Sequence, residues 1–274
     1  MFKEEISAVS NAASKKLQLM ENRPGAYFVL SMLAGMFVGV GILLIFTIGG
    51  LLSPGGFAGT KIVMGLSFSI ALSLVVLAGS ELFTGNNLVM TVGVLEKKVT
   101  LSGAIKLWIF CWIGNLAGSV LLAFLFYYAG LAAGDVGAFI AQTSAAKMSL
   151  PAGQLIFRGI LCNFLVCLAV WCGFKLKSES GKLIMIFLCL FAFITAGFEH
   201  SIANMTLLAI GLLNPAGYAL TIGGYFYNLL FVTLGNMLGG IALVAFPYAF
   251  AAGNRTSLDP VRNAAGQKSG QAGK

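Results

Sequence analysis

The sequence has few charged residues. Only 9% of its 274 residues are Asp, Glu, Lys or Arg, and 58% are hydrophobic, whereas roughly a quarter of the residues in ordinary soluble domains are charged. A soluble globule of this composition would lack the polar side chains that its surface requires. The scarcity of charge therefore excludes an ordinary soluble domain.

Metal-binding and redox side chains are also scarce. Histidine occurs once, and all five cysteines fall within apolar stretches. Cys162, Cys167 and Cys172 share one stretch, but at about 100° per residue they point to different sides of a helix. Because a metal site needs several donors that converge, the sequence predicts neither a metal site nor a cofactor.

Long apolar runs are what the sequence has instead. An apolar segment of about 20 residues can cross the membrane as a helix, since lipid offers its backbone no hydrogen-bond partner. Six regions read in this way, and we predict an all-α membrane protein of six transmembrane helices. The regions are about 27–50, 62–79, 104–130, 153–174, 183–197 and 221–250.

The two ends of the chain differ from this central part. Residues 1–24 are mixed in charge, are compatible with a helix and lack the pattern of a cleaved signal peptide. Residues 253–274 are rich in small, polar and basic side chains and have no apolar periodicity. We predict a cytoplasmic N-terminal helix over 1–24, a six-span channel domain over 25–252 and a disordered cytoplasmic tail over 253–274.

The excess of basic residues follows the topology and does not form a nucleic-acid-binding patch. Lysines and arginines cluster in the N-terminal segment, around 97–106, around 175–182 and in the tail, whereas the intervening loops carry only Lys61 and Lys147. The positive-inside rule then places both termini in the cytoplasm. A bacterial inner membrane is the expected location.

An internal repeat divides the spans into two halves. The third span contains Gly114-Asn115-Leu-Ala-Gly118, and the sixth contains Gly235-Asn236-Met-Leu-Gly239. Three spans in each half make the repeat inverted, as in many transporters. Small residues four apart also let helices pack closely, so helix packing alone could explain the glycines.

Two spans are interrupted by small and polar residues, at 78–87 and 196–204. Irregular backbone at membrane depth is tolerated only where protein buries it or where it lines a cavity. We therefore expect two broken helices there, with the pore between them.

Polar residues within the spans are candidates for function. His200 stands at one break and, with a reference pKa near 6.5, exchanges protons readily near neutral pH. Thr84 offers a hydroxyl at the other break, although it could simply cap a helix. Further amide donors are Asn163 and Asn204, for which packing or capping explains the sequence equally well.

Charged groups near the breaks have both structural and functional interpretations. Glu81 and Glu199 could accept hydrogen bonds from freed backbone amides or pair with Arg158, which favours supporting roles. Lys147 is a solitary charge in a loop expected outside the cell. It would concentrate anions at the pore mouth, unless it is an ordinary solvated lysine.

These motifs together resemble the formate/nitrite transporter family, over nearly the whole of residues 1–250. The resemblance rests on five segments in order, of which the fourth is most similar to the nitrite branch. They are Glu-Leu-Phe-Thr-Gly at 81–85, Trp-Ile-Gly-Asn-Leu-Ala-Gly-Ser at 112–119, Arg-Gly-Ile-Leu-Cys-Asn-Phe-Leu-Val-Cys-Leu-Ala at 158–169, Gly-Phe-Glu-His-Ser-Ile-Ala-Asn-Met at 197–205 and Val-Thr-Leu-Gly-Asn-Met-Leu-Gly-Gly at 232–240.

The resemblance implies an aquaporin-like protomer, a homopentamer with one pore per protomer, and transport of nitrite, formate or hydrosulfide linked to protons. It implies that His200 and Thr84 face each other at the pore centre and that Lys147 lies in the periplasmic vestibule. It also implies two apolar constrictions, formed by Leu82, Phe83 and Val166 on the periplasmic side and by Leu72 and Phe193 on the cytoplasmic side.

Other classes of protein remain as alternatives. An aquaporin-like channel for neutral solutes would need two Asn-Pro-Ala motifs, and this chain has one, at 214–216. An intramembrane enzyme would need a nucleophile with its base, paired carboxylates or a metal cluster. A scaffolding membrane protein is the third alternative, and a liposome flux assay separates it from a channel.

Overall fold

The computed structural model describes residues 2–253, and this part of the chain is helical. Six helical stretches are long and apolar enough to cross a membrane, which confirms the predicted number. They cover Pro24–Leu52, Thr60–Gly79, Leu101–Tyr128, Ala152–Lys175, Glu179–Ala196 and Ile222–Ala251. Apart from residue 253, the tail predicted to be disordered lies outside the described residues.

The first helix, α1 (Lys3–Asn22), precedes the spans and packs against them through buried Ile6, Val9 and Ala13. Before it, the Phe2 ring contacts the rings of Trp171 and Tyr248 edge-on. Helix α2 (Pro24–Leu52) follows at once and forms the first span. The N-terminal segment is therefore packed on the bundle; its cytoplasmic position stays a prediction.

The second span is irregular along its length. It consists of α3 (Thr60–Ser67), α4 (Ile70–Leu74) and a π-helical turn at Val75–Gly79. The helix stops at Gly79, whose φ of 78° suits glycine. Ser80 and Leu82 are extended, and a new helix, α5, runs over Phe83–Leu95.

The fifth span ends in the same way. Helix α9 (Glu179–Ala196) stops at Gly197, again with φ of 78°, and α10 (Ser201–Leu213) begins after three non-helical residues, of which His200 is extended. Helices α5 and α10 are buried along most of their length. Each has 13 residues and is too short to cross about 30 Å of hydrocarbon, so both act as half-helices inside the bundle.

The remaining helices complete the bundle. They are α6 (Leu101–Tyr128), α7 (Gly134–Met148), α8 (Ala152–Lys175), α11 (Ile222–Gly240) and α12 (Phe246–Ala251), with a second π-helical turn at Ile241–Ala245 between the last two. Helix α2 packs along α6, and α8 packs along α11.

The glycines of the repeated motif lie at these two helix crossings. A side chain at Gly118 would overlap the Met32 carbonyl oxygen of α2, and one at Gly239 would overlap the Ile160 carbonyl oxygen of α8. The close-packing interpretation of the glycines therefore applies in both halves. The inverted orientation of the two halves stays a prediction.

Candidate pore and its polar groups

Asn115 of α6 closes the first break by hydrogen bonding. Its Oδ1 accepts from the Phe83 backbone amide at 2.9 Å, which satisfies the start of α5. Its Nδ2 donates to the Glu81 carbonyl at 2.9 Å and to the Ser31 carbonyl at 2.7 Å. One buried side chain thus replaces the backbone partners that the missing helical turn would have supplied.

Asn236 of α11 does the same for the second break. Its Oδ1 accepts from the Ser201 amide at 2.9 Å, and its Nδ2 donates to the Glu199 carbonyl at 2.9 Å and the Gly159 carbonyl at 2.8 Å. In the sequence this asparagine stands out only as part of the repeated motif. The signal for its role was the repeat itself, since a Gly-Asn pair follows the glutamate of each break by similar distances, 34 residues from Glu81 to Asn115 and 37 from Glu199 to Asn236.

The two half-helices meet at a contact between Thr84 and His200. Thr84 Oγ1 lies 3.0 Å from His200 Nε2, and the histidine is only 5% exposed. The Phe193 ring stacks on the imidazole at 6.1 Å between centroids. The structure brings together the two residues that the sequence placed on opposite breaks.

His200 also caps α10. Its Nδ1 accepts a hydrogen bond from the Ala203 amide at 3.1 Å, so this nitrogen carries no proton in the neutral ring. The proton therefore sits on Nε2, which donates to the Thr84 hydroxyl oxygen and leaves the Thr84 hydrogen available to another acceptor. Thr84 itself does not cap a helix, because the N-cap of α5 is Leu82.

Two cavities approach this contact from different sides. The first, here named the Lys147 cavity, has a volume of about 460 Å³ and is lined by Lys147, Phe198, Glu199, His200 and Asn204, among others. The second, the Lys16 cavity, has a volume of about 690 Å³ and is lined by residues that include Lys16, Glu81 and Asn86. His200 lines the Lys147 cavity, and Thr84 is linked to it through the contact with the imidazole; the position of the pair on a transport path stays a prediction.

Apolar side chains separate the two cavities. The space between them measures only about 10 Å³, about the minimum that holds one water molecule. We call its walls the apolar collar. They are formed by His200 and by the apolar residues Val38, Phe68, Ala71, Leu72, Leu82, Val166, Leu190 and Phe193.

The residues of the collar differ in the cavity that they also line. Leu72 and Leu82 line the Lys16 cavity, and Phe193 lines the Lys147 cavity; the grouping of these residues into two constrictions stays a prediction. Phe83 is absent from the walls of the collar. It lines a groove beside Trp108; Phe83 is the first residue of α5, whereas Leu82 before it has an extended backbone.

Lys147 is not the isolated charge that the sequence suggested. Its ammonium lies 2.7 Å from each carboxylate oxygen of Glu199, with 19% and 3% of the two side chains exposed. Asn204 Nδ2 donates to the same carboxylate at 2.7 Å and to Asn228 Oδ1 at 2.8 Å, and Asn228 Nδ2 donates back to the Lys147 carbonyl. The lysine belongs to a closed polar ring.

A matching arrangement surrounds Glu81. The Lys16 ammonium of α1 lies 2.6 Å from Glu81 Oε1, and the hydroxyl of Tyr27 and the amide of Asn86 donate to Oε2. Lys16 was missed from sequence, because nothing near it in the chain indicates that α1 folds back onto the break. Each break thus carries a glutamate, a lysine and an asparagine.

The other predicted polar residues have structural contacts. Asn163 is fully buried and donates to the Thr84 and Asn236 carbonyls at 3.3 and 2.7 Å, behind the collar. Arg158 pairs with neither glutamate; its carbonyl accepts from the Glu199 amide at 3.2 Å, and its side chain lines the Lys147 cavity. Within residues 2–253, no three His, Cys, Asp or Glu side chains form a metal-binding group.

Comparison with known proteins agrees with this geometry. The family model described as Formate/nitrite transporter matches residues 3–250. The Nitrite transporter NirC of Salmonella typhimurium (strain LT2) is 42% identical over 255 residues, which cover 92% of each chain.

Two solved structures have similar folds. One, described as an FNT family ion channel, has a TM-score of 0.87 and 40% identity and covers 91% of this chain and 99% of its own. The other, described as a pentameric formate channel with formate bound, has a TM-score of 0.72 and 29% identity and covers 88% of this chain and 98% of its own.

Proposed function

This chain belongs to the formate/nitrite transporter family, and on that premise we propose that it passes small monovalent weak-acid anions through a pore within each protomer. Nitrite and formate are the anions named for its relatives, and hydrosulfide has similar charge and size. The observation that carries the proposal is the buried contact of Thr84 with His200 between two cavities. Its relatives are transporters and channels, which supports transport over an intramembrane enzyme.

The assembly and location follow from the same premise. The protein is a multi-pass membrane protein, and we place it in a bacterial inner membrane as a homopentamer, since one similar structure is pentameric. The distribution of lysine and arginine supports cytoplasmic termini. We retain the division into an N-terminal helix at 1–24 and a channel domain at 25–252, with the two halves of the domain inverted.

The apolar collar makes charge the main obstacle to passage. An anion that loses its water there has few compensating partners, and desolvation of an isolated charge is highly unfavourable. His200 lines this space, and the Thr84 hydroxyl that accepts its Nε2 hydrogen can donate its own hydrogen to an anion. A weak acid can also cross in its neutral form, whereas chloride cannot, so the collar favours weak-acid anions.

The histidine contacts define how it would act. With Nδ1 occupied by the Ala203 amide, the neutral imidazole offers its Nε2 proton as a hydrogen-bond donor. The neutral ring can take up a proton only at Nδ1, because Nε2 already carries one. A proton added there makes the ring an imidazolium, the Nε2 proton then passes to the anion, and the ring is left neutral with its hydrogen on Nδ1. Proton exchange at His200 therefore requires the contact with Ala203 to open.

The test compares His200→Asn with Thr84→Val. Asparagine is a good N-cap residue, so the first variant retains the cap of α10 and loses the imidazole; valine retains the shape of threonine and loses the hydroxyl. Fluxes of formate, nitrite and chloride are measured in proteoliposomes over an acidic-to-neutral pH series. Size-exclusion chromatography checks that each variant assembles like the wild type.

We expect Thr84→Val to lower the flux of both weak-acid anions. His200→Asn should weaken both the preference for weak acids over chloride and the dependence of flux on pH. An assembled His200→Asn protein with the wild-type preference and pH profile would show that the proton is exchanged elsewhere and that His200 serves only as a cap.

A further inference from the structure

We propose that Lys61 and Arg158, rather than Lys147, give one pore mouth a positive field, and that the other mouth is electrically neutral. The two mouths would then differ in apparent affinity for anions. This inference rests on the proposed function, since it concerns the same pore.

The Lys147 cavity has an excess of positive charge. Its walls include three cationic side chains, Lys61, Lys147 and Arg158, and one carboxylate, Glu199. Lys147 and Glu199 neutralise each other in the polar ring. Lys61 and Arg158 form no ion pair with any residue of the described part of the chain, so their charges act on the water-filled mouth.

The Lys16 cavity is balanced. Among the described residues its charged side chains are Lys16, Glu81, Glu179 and Lys182. Lys16 pairs with Glu81 at 2.6 Å, and Lys182 pairs with Glu179 at 2.9 Å. Both cations that line this cavity are therefore matched by a carboxylate, and the described residues of its walls carry no net charge.

A fixed charge at one mouth raises the local anion concentration there. It cannot drive net transport, because it favours occupancy equally for anions entering and leaving. The charge lowers the KM for anions supplied from that side. Dissolved salt screens the field of the charge over about one Debye length. For a charge at the edge of such a cavity, we expect an effect of about two- to five-fold in KM per charge.

The experiment measures uptake of radiolabelled formate into right-side-out and inside-out membrane vesicles, at low and high ionic strength. The test variant is Lys61→Gln/Arg158→Gln, and the charge-retaining variant is Lys61→Arg/Arg158→Lys. Lys98→Gln removes an exposed lysine that lines neither cavity and controls for the change in total charge. Cysteine labelling identifies which vesicle type exposes the Lys147 cavity.

The wild type should show the lower KM when formate enters from the Lys147 cavity. In the test variant that KM should rise several-fold with little change in maximal rate. The charge-retaining and control variants should keep the wild-type KM. High salt should remove the difference in KM between the wild type and the test variant. Equal KM values from both sides in the wild type would overturn the inference, as would a variant whose maximal rate falls while KM is unchanged. If the wild type carries no formate or nitrite at all, the proposed function itself fails.

Discussion

Removal of the Lys147 ammonium should destabilise the protein by leaving Glu199 charged and buried. Breaking a buried ion pair by deleting one partner typically costs about 3–5 kcal/mol. Here Asn204 still donates to the carboxylate at 2.7 Å, and a hydrogen bond to a charged group is worth about 1.5–3 kcal/mol. We therefore expect Lys147→Met to lower the free energy of unfolding by about 2–3 kcal/mol.

The double variant Lys147→Met/Glu199→Gln should recover most of that loss. It removes both charges, and the glutamine oxygen can still accept from Asn204. The measurement is equilibrium unfolding in mixed micelles followed by tryptophan fluorescence, and the double-mutant cycle gives the coupling energy of the pair. Because the pair is neutral as a whole, the double variant should also retain the wild-type anion flux at low salt.

The exposed pair of Glu179 and Lys182 is the matched control. It has a similar separation, 2.9 Å, but 70% of the Glu179 side chain is exposed, so its coupling should be at most about 1 kcal/mol. A coupling between Lys147 and Glu199 as small as that of the control pair would refute the argument. So would a double variant that is as unstable as Lys147→Met alone.

Two further predictions concern packing and topology. Gly118→Ala should prevent assembly, because its methyl group would overlap the Met32 carbonyl oxygen. Gly153→Ala should assemble normally, because no atom lies within 4 Å of the added carbon. Size-exclusion chromatography measures assembly of both variants. In a protein without native cysteines, Lys177→Cys should resist an impermeant thiol reagent in intact cells; labelling from outside would contradict the predicted topology.

The spans were predictable from sequence because lipid imposes one requirement on all of them. A long apolar run must form a helix there, so the predicted runs match the observed spans, including the stops near residues 79 and 196. The contact of Thr84 with His200 could also be predicted, since the breaks carried these polar side chains and the resemblance paired them. Local composition was sufficient evidence for the spans and the breaks, whereas the pairing of Thr84 with His200 came from the resemblance.

The rest depended on which segments meet in three dimensions. Lys16 reaches Glu81 only because α1 folds back across the bundle, and Asn115 caps α5 from a different helix. Phe83 lines a different groove from the collar although it follows Leu82 directly, and this depends on how α5 is rotated about its axis. No local pattern in the sequence specifies these arrangements.

The two capping asparagines also bear on how the protein is synthesised. The Asn115 side chain hydrogen-bonds to Ser31, Glu81 and Phe83 of the first half, and the Asn236 side chain hydrogen-bonds to Gly159, Glu199 and Ser201 of the second half. Each half therefore contains the groups that close its own broken helix and can complete that closure as its third span leaves the ribosome. The contact of Thr84 with His200 joins the halves, so the centre of the pore forms only after both have been inserted.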